Sequence, residues 1–434
     1  RRSCARSIRK CDLRVRFAQW RDTRSWSGCG NVRRIFTASS KQVRPVLRNL
    51  SKEAGLLALA DATQQDFNAN AEVLRAGRQS RHPRAVATWF LPVVTHALKG
   101  GVRTAFMLAQ EFSQRWGTLN VIVIYSHSGA NVDVAPLSES LRQHFPDLRF
   151  VVSVFRRGKD HESALPASDF AFCTLWTTAY LLLKYNRTRA KYYLMQDFEP
   201  RFYAAGGVYG AIEHTYRFGF TCIANTPGVG DLYRSYSDDV VSFLPGVDGS
   251  TFHPDPEKQA LGSTCQVVFY GRPSNARNCF DLGVSTLFEL KKRMGAQVRI
   301  LSVGEEWDPA TFGLEGVVEN LGLLGSMEEV AQLYRESDLG LVYMMTPHPS
   351  YQPLEYMASG CVVATNINEA NGWLHNDDNA LLIAPIAQAA AQRIEDLLSH
   401  PGQWSSLRQA GLRSAANLAW KTAFDTVCDP IASG

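Results

Sequence analysis

The sequence predicts an α/β protein built as two doubly wound parallel-sheet domains. Three observations carry this. Short apolar runs recur between residues 85 and 384, and most are continuous rather than alternating, as in strands buried on both faces of a parallel sheet. The segments between them carry helical periodicity, and alternating β and α units build doubly wound domains. A stretch dense in turn formers near residue 245 divides the series in two.

The first series of expected strands is Ala85–Leu91, Val121–Tyr125, Phe150–Phe155, Phe170–Leu175, Tyr192–Met195, Cys222–Asn225 and Val240–Leu244. The break follows, from Leu244-Pro245-Gly246 through His253-Pro254-Asp255-Pro256. A second series comprises Val267–Tyr270, Val298–Val303, Leu339–Tyr343, Cys361–Thr365 and Ala380–Ala384, with helical patterns over Phe280–Met294, Met327–Ser337 and Ala387–Leu398. The last stretch, with Trp404, Leu407, Leu412 and Trp420, reads as one amphipathic helix that crosses back to the first domain. The expected organisation is a basic extension over 1–81, a Rossmann-like domain over 82–245, a linker over 246–257, a second Rossmann-like domain over 258–405, and the terminal helix over 406–434.

Composition narrows the class. The 434 residues are 45% hydrophobic and 20% charged, as in ordinary globular proteins. No apolar run reaches the roughly 18 to 20 residues of a transmembrane helix. The net charge of +5 is uneven, because residues 1–50 hold 14 Arg and Lys against 2 acidic residues. Such a segment suits contact with an anionic membrane surface. A solvated extension explains it equally, and its Arg- and Ser-rich, acid-poor character also resembles a transit peptide, diluted by the residues after it. It lacks interleaved aromatics beyond Trp20 and Trp26, which argues against a nucleic-acid reader. None of the 9 Cys forms a C-x-x-C pair, and most of the last six lie in apolar runs. Buried thiols in a reducing cytoplasm are the expectation, with peripheral contact at the inner membrane face through residues 1–50.

The densest chemistry lies in His348-Pro349-Ser350-Tyr351-Gln352-Pro353-Leu354-Glu355, between two expected strands. Pro353 suits a helix start. The loop would leave the C-terminal edge of the sheet, where open α/β sheets bind ligands, and a helix start favours phosphate. Glu355 would accept a hydrogen bond from a ligand hydroxyl; a carboxylate there also simply complements the helix dipole. In the first domain, Gly100 and Gly101 open a helix after the first strand and permit close backbone approach to an acceptor or a phosphate, or serve a plain turn. Asp197 and Glu199 end a strand in Gln196-Asp197-Phe198-Glu199-Pro200, and His127 ends another. Each is a candidate proton acceptor, with an ion-pair network or a solvated loop as the plainer reading.

Several segments together resemble a known family. Pro353-Leu354-Glu355-Tyr356-Met357-Ala358-Ser359-Gly360-Cys361-Val362-Val363-Ala364 is similar to the P-x-L-E-A-M-A-C-G-x-P-V-V-A signature of two-Rossmann (GT-B) glycosyltransferases of the group 1, or family 4, type, with one spacer residue missing. Leu244–Pro254 resembles their inter-domain segment. Tyr270-Gly271-Arg272 followed by Arg277 resembles their paired cations, and Asn320–Val330 their base-binding turn. The Q-D-F-E-P, T-Y-R-F-G-F and H-P-S-Y segments look like bacterial WsaF-type rhamnosyltransferases over residues 82–425. The resemblance implies transfer of rhamnose from dTDP-rhamnose to a glycan or lipid-linked glycan at the cell surface. It implies that Arg272 and Arg277 clamp the diphosphate, that Glu355 binds the ribose, with Leu354, Gln352 and Tyr351 beside it, and that Gly322 and Leu323 meet the base. No cofactor beyond the donor and no metal is implied, and there is no Asp-x-Asp motif. Pro347 stands where the family often has a second Glu, so an upstream carboxylate at the donor sugar lacks support. The competing readings are a sugar-nucleotide epimerase of the same fold and a catalytically silent binding subunit.

Overall fold

A computed structural model describes residues 52–77, 84–98 and 100–433. The basic segment 1–50, with its expected membrane contact, lies outside them, as does residue 82, the expected start of the first domain. The described residues from 55 onward form one compact unit, and both predicted domains belong to it.

The first sheet has seven parallel strands: β1 (Val86–Pro92), β2 (Leu119–Ser126), β3 (Phe150–Arg156), β4 (Phe170–Cys173), β5 (Ala190–Met195), β6 (Thr221–Asn225) and β7 (Val240–Phe243). Their order is β3-β2-β1-β4-β5-β6-β7, so the winding reverses between β1 and β4. Continuous apolar sequence makes these strands, since β4 (FAFC) is buried at every position and Trp89 stacks on Phe172 of the neighbouring strand. The second sheet runs β10-β9-β8-β11-β12-β13 from β8 (Cys265–Gly271), β9 (Val298–Gly304), β10 (Glu319–Asn320), β11 (Leu339–Val342), β12 (Val362–Thr365) and β13 (Leu381–Leu382). Its reversal lies between β8 and β11. The sequence pattern misses β10, because two polar residues form no apolar run. This two-sheet architecture is the GT-B fold.

Helix α1 (Gln64–Gly77) precedes the first sheet and changes the reading of residues 1–81 as one extension. The β3–β4 connection holds only a short 3-10 turn, Glu162–Ala164, where doubly wound folds usually place a helix. Residues 56–74 cover that face instead. Leu59 is buried beside Tyr125, Phe155 and Leu165, while Phe67 and Leu74 pack against the same core. Lys191, 1% exposed, donates to Asn70 Oδ1 at 2.9 Å and to the last carbonyls of α4 (Trp176–Lys184), Leu182 O at 2.8 Å and Leu183 O at 3.1 Å. Asn70 also donates to Phe218 O at 2.8 Å. Helix α1 is therefore tied into the first domain by buried polar bonds.

The expected single C-terminal helix is two, α11 (Pro401–Ala416) and α12 (Trp420–Ser433). Trp404 of α11 is buried in the second domain's core, whereas Phe424, Val427 and Ile431 of α12 enter the first domain's. The chain thus crosses between the domains twice, side by side, with Val247 N donating to Leu418 O at 3.0 Å. Gly246 permits that contact, because a Cβ there would lie 2.1 Å from Trp420 N. Among the described residues no helix is long and apolar enough to cross a membrane, and Cys173, Cys222, Cys265, Cys279, Cys361 and Cys428 are free thiols.

Replacing Asn70 with Ala should lower the unfolding free energy by about 2–3 kcal/mol, because it leaves a buried ammonium and a carbonyl each short of a partner. A urea-denaturation midpoint equal to wild type would mean that α1 is only loosely held.

Candidate functional site: the cleft between the two sheets

Both sheet reversals open at C-terminal strand ends, and ligands of doubly wound domains sit outside such ends. The loops after β1, β5, β8 and β11 bring the chemistry there. After β11, residues 344–351 lead into α9 (Gln352–Ala358). This loop is braced from the end of β12. Asn366 pairs with both Met344 N and O at 2.8 Å, and Asn368 Nδ2 donates to Met344 O at 3.0 Å and Thr346 O at 2.5 Å. Ser350 turns the chain with φ 42°, left-handed backbone that a non-glycine residue adopts at a cost. Helix α9 is held by Tyr356, whose ring lies on β11 and requires Gly340, where a Cβ would meet that ring at 2.4 Å. Tyr356 stands where the glycosyltransferase signature has Ala.

Glu355 sits in the first turn of α9, 8% exposed, and no described residue donates a hydrogen bond to its carboxylate. Burial pushes its pKa up to about 7, opposed by the charge of Arg103 from the other domain. At seven residues α9 has a weak dipole, so the expected phosphate cradle at its start contributes little and the neighbouring cations matter more. Arg277, after β8, reaches across to the first domain. Its Nη1 pairs with Asp197 Oδ2, its guanidinium lies 4.3 Å from the Phe202 ring centre, and Nη2 carries no hydrogen bond. Asp197 is 4% exposed and also accepts from Thr346 Oγ1 at 3.0 Å. Its Oδ1 is buried without a partner. Burial raises its pKa to about 6 against the pull of Arg277. Where the family has an upstream Glu, Thr346 beside Pro347 thus serves Asp197. Arg272 is half-buried, with Nη1 3.4 Å from the Tyr270 hydroxyl.

Several expected site residues have other work. The Tyr351 hydroxyl bonds Thr104 Oγ1 and accepts from Asn225 Nδ2 at 2.9 Å, and its ring lies 5.6 Å from Trp420. It joins the domains, so its polar atom is not free for a ligand. Leu354 is 0% exposed and packs inside. Gln352 Oε1 accepts from the Ser350 hydroxyl. Glu199 faces away from the cleft. It accepts from Trp176 N, at the start of α4, at 2.7 Å and from the Tyr193 hydroxyl at 3.0 Å. Burial raises its pKa to about 8, so it is a neutral cap inside the domain. His127 is exposed at the end of β2. Three inter-strand spacings, about 14 Å, separate β2 from the β5 end that carries Asp197, so the two do not meet. Gly101 abuts Gln196, which donates to its carbonyl at 2.7 Å, while Gly100 (φ 46°) borders open space. Gly322 (φ 63°) lies against the Glu306 carboxylate, and Leu323 is 81% exposed on the rim. Arg103, Thr346, Asn225 and Phe202 also line or brace the cleft, and no motif in the sequence marks them.

Residues 265–395 of the chain match the family model "WsaF, C-terminal domain". The second domain is thus similar to the C-terminal domain of that family. O-antigen biosynthesis protein RfbC of Myxococcus xanthus is 38% identical over 344 residues, which is 79% of this chain and 26% of that protein. The chain therefore spans about a quarter of that relative. Among solved structures, sucrose-phosphate synthase from Thermosynechococcus elongatus superposes with TM-score 0.63 at 15% identity, covering 80% of this chain and 98% of that one. Anabaena HepE, in complex with UDP and glucose, gives TM-score 0.63 at 15% identity over 81% of this chain and all (100%) of its own. At such identity these share the fold. The second domain supplies Arg272, Arg277 and Glu355; Asp197 and Arg103 come from the first.

The neutral cap yields a pH test. Folded Glu199 keeps its proton up to about 8, whereas the unfolded chain loses it near the ordinary glutamate value of 4.5. Between these limits the native state holds more protons, so its contribution to stability falls as pH rises through that window. Glu199→Gln mimics the protonated form, and its melting temperature relative to wild type should therefore increase from pH 5 to pH 8.5. A constant difference would mean that Glu199 is ionised in the fold.

Proposed function

We propose that this protein is a glycosyltransferase that moves a sugar from a nucleoside-diphosphate donor, held by the second domain, onto a glycan acceptor held by the first domain. The observation that carries it is the convergence at one cleft of a buried, unpartnered Glu355 carboxylate, two arginines with free donor capacity, and a buried Asp197 with one oxygen unpartnered. A hydroxyl-bearing nucleotide suits Glu355, and a diphosphate suits the guanidinium forks. The O-antigen role of the Myxococcus relative and the UDP and glucose bound to HepE support the substrate class. Within that class, dTDP-rhamnose as donor and a cell-surface glycan as acceptor follow from the resemblance of the Q-D-F-E-P and H-P-S-Y segments to WsaF-type rhamnosyltransferases.

In this mechanism an acceptor hydroxyl oxygen bonds to the anomeric carbon as the bond from that carbon to the diphosphate oxygen breaks. The electron pair leaves with the diphosphate. Arg272 and the free Nη2 of Arg277 face the growing negative charge, a fixed electrostatic stabilisation that needs no reorganisation. Asp197 takes the acceptor proton. Arg277 touches both ends of the reaction, since its other nitrogen holds the base in place. Glu199 and His127 take no part.

Calorimetric titration with dTDP, UDP and GDP should give measurable binding of at least one, and Glu355→Ala should weaken it tenfold or more. No binding of any diphosphate nucleotide by the intact protein would sink the donor-site reading. A preference for UDP or GDP would remove the rhamnose assignment alone. With a radiolabelled donor, label should reach an acceptor; conversion of the donor sugar without an acceptor would identify an epimerase.

The base also has a pH signature. Because Asp197 must be ionised to take a proton, kcat should rise with pH through about 6 and then level. Asp197→Asn should lower kcat while leaving nucleotide affinity within twofold. Loss of both would make Asp197 a structural residue.

A further inference from the structure

We propose that Arg103, a first-domain residue, is the third cation of the donor site and contacts the donor's diphosphate from across the cleft. The inference rests on the donor-site reading above. Arg103 lies in the first turn of α2 (Gly100–Trp116), a 17-residue helix. Its neighbour Thr104 is bonded through its hydroxyl to that of Tyr351. On the opposite wall Glu355 comes one helical turn after Tyr351, with Glu355 N donating to Tyr351 O at 3.0 Å. The Thr104–Tyr351 bond therefore sets the start of α2 against the start of α9, with a guanidinium on one wall and a carboxylate on the other.

Opposite charges in a poorly solvated cleft ordinarily close into a short, often bidentate pair. Here they do not. Arg103 forms no ion pair with any described residue, and no described residue hydrogen-bonds the Glu355 carboxylate. Yet Arg103 is the cation whose charge bears on both Glu355 and the Tyr351 hydroxyl. The Thr104–Tyr351 strut fixes the two helix starts against each other while the guanidinium and the carboxylate stay unpaired. Gly100, three residues before Arg103, is exposed. Gly100 has φ 46°, and a Cβ built there would meet nothing within 4 Å. First-turn amides of a long helix add donors for an anion on the same side. One wall thus offers positive donors, and the other a single buried acceptor. A nucleoside diphosphate fits this polarity, with its phosphates toward α2 and a ribose hydroxyl toward Glu355. The donor would then touch both domains, and a donor-bound site would be complete only when they are together.

The test compares each diphosphate with its nucleoside, UDP with uridine and dTDP with thymidine, on the full chain by competition calorimetry. Arg103→Ala should weaken the bound diphosphate roughly 10- to 100-fold, the scale of a hydrogen bond to a charged group. It should leave the nucleoside within twofold, and Arg103→Lys should restore part of the loss. An equal loss for nucleoside and diphosphate would overturn the contact and leave Arg103 a positioning residue. Unchanged diphosphate affinity in Arg103→Ala, while Arg272→Ala and Glu355→Ala lose it, would remove Arg103 from the site and leave the donor reading intact. Absence of diphosphate binding in wild type would overturn both. Circular dichroism and melting temperature serve as fold controls, and Arg103→Gln is the alternative if Arg103→Ala is unstable.

Discussion

A carboxylate taken out of water costs several kcal/mol unless other groups replace its hydration. Asp197 lies at the end of β5 in that condition, and its partners are on the other domain: the Arg277 guanidinium and the Thr346 hydroxyl. Much of the cleft depends on this exchange. The first sheet ends in a buried acid that its own domain does not satisfy, and the second ends in a loop that presents a cation and a hydroxyl to it. Tyr351, bonded to Thr104 and Asn225, repeats the arrangement one step away. Arg201 pairs with Glu369 at 2.8 Å near the rim. The two sheet edges are complementary in polar groups, so these contacts hold the charges of the cleft in place.

The same groups link structure to chemistry. Arg277 is shared between a buried base and the space beside it, and only one of its terminal nitrogens is committed. A ligand that takes the other nitrogen does not have to break the inter-domain pair. Thr346 stands next to Pro347, so the loss of an upstream Glu in the motif is accompanied by a hydroxyl that supports Asp197 rather than by a vacant position. The loop that carries Thr346 is rigid because Asn366 and Asn368 satisfy its backbone. The two passages of the chain between domains meet at Gly246–Val247 and Leu418–Trp420.

The first domain solves a packing problem in its own way. A parallel sheet must be covered on both faces, and the β3–β4 connection contains no long helix to do so. Leu59, Phe67 and Leu74, from before the first strand, fill the place, and Lys191 fastens them with hydrogen bonds to Asn70 and to the end of α4. These residues carry no motif, and their role depends on a helix missing elsewhere in the chain. This is why they read as an extension when the sequence is taken linearly.

The alternation of apolar runs with helical periods determined the architecture by itself, because burial on both faces leaves a continuous apolar signature in the central strands of the first sheet. Only β10, two polar residues held by their neighbours, escaped that signal. The position of the cleft was also legible, since strand ends and helix starts place Arg272, Arg277 and Glu355 on one edge whatever the side chains do. Side-chain commitments were decided by the tertiary structure alone. Glu199 and Asp197 are two residues apart and chemically alike, yet one caps an internal helix and the other meets Arg277 across the cleft, because backbone direction at the end of β5 sends them to opposite sides. Tyr351 reads as a ligand contact but is spent joining domains, and Arg103 acquires its place only when two helix starts more than two hundred residues apart are brought face to face. Local pattern encodes which segments become strands and helices. Which polar atom is left without a partner depends on every other contact in the fold.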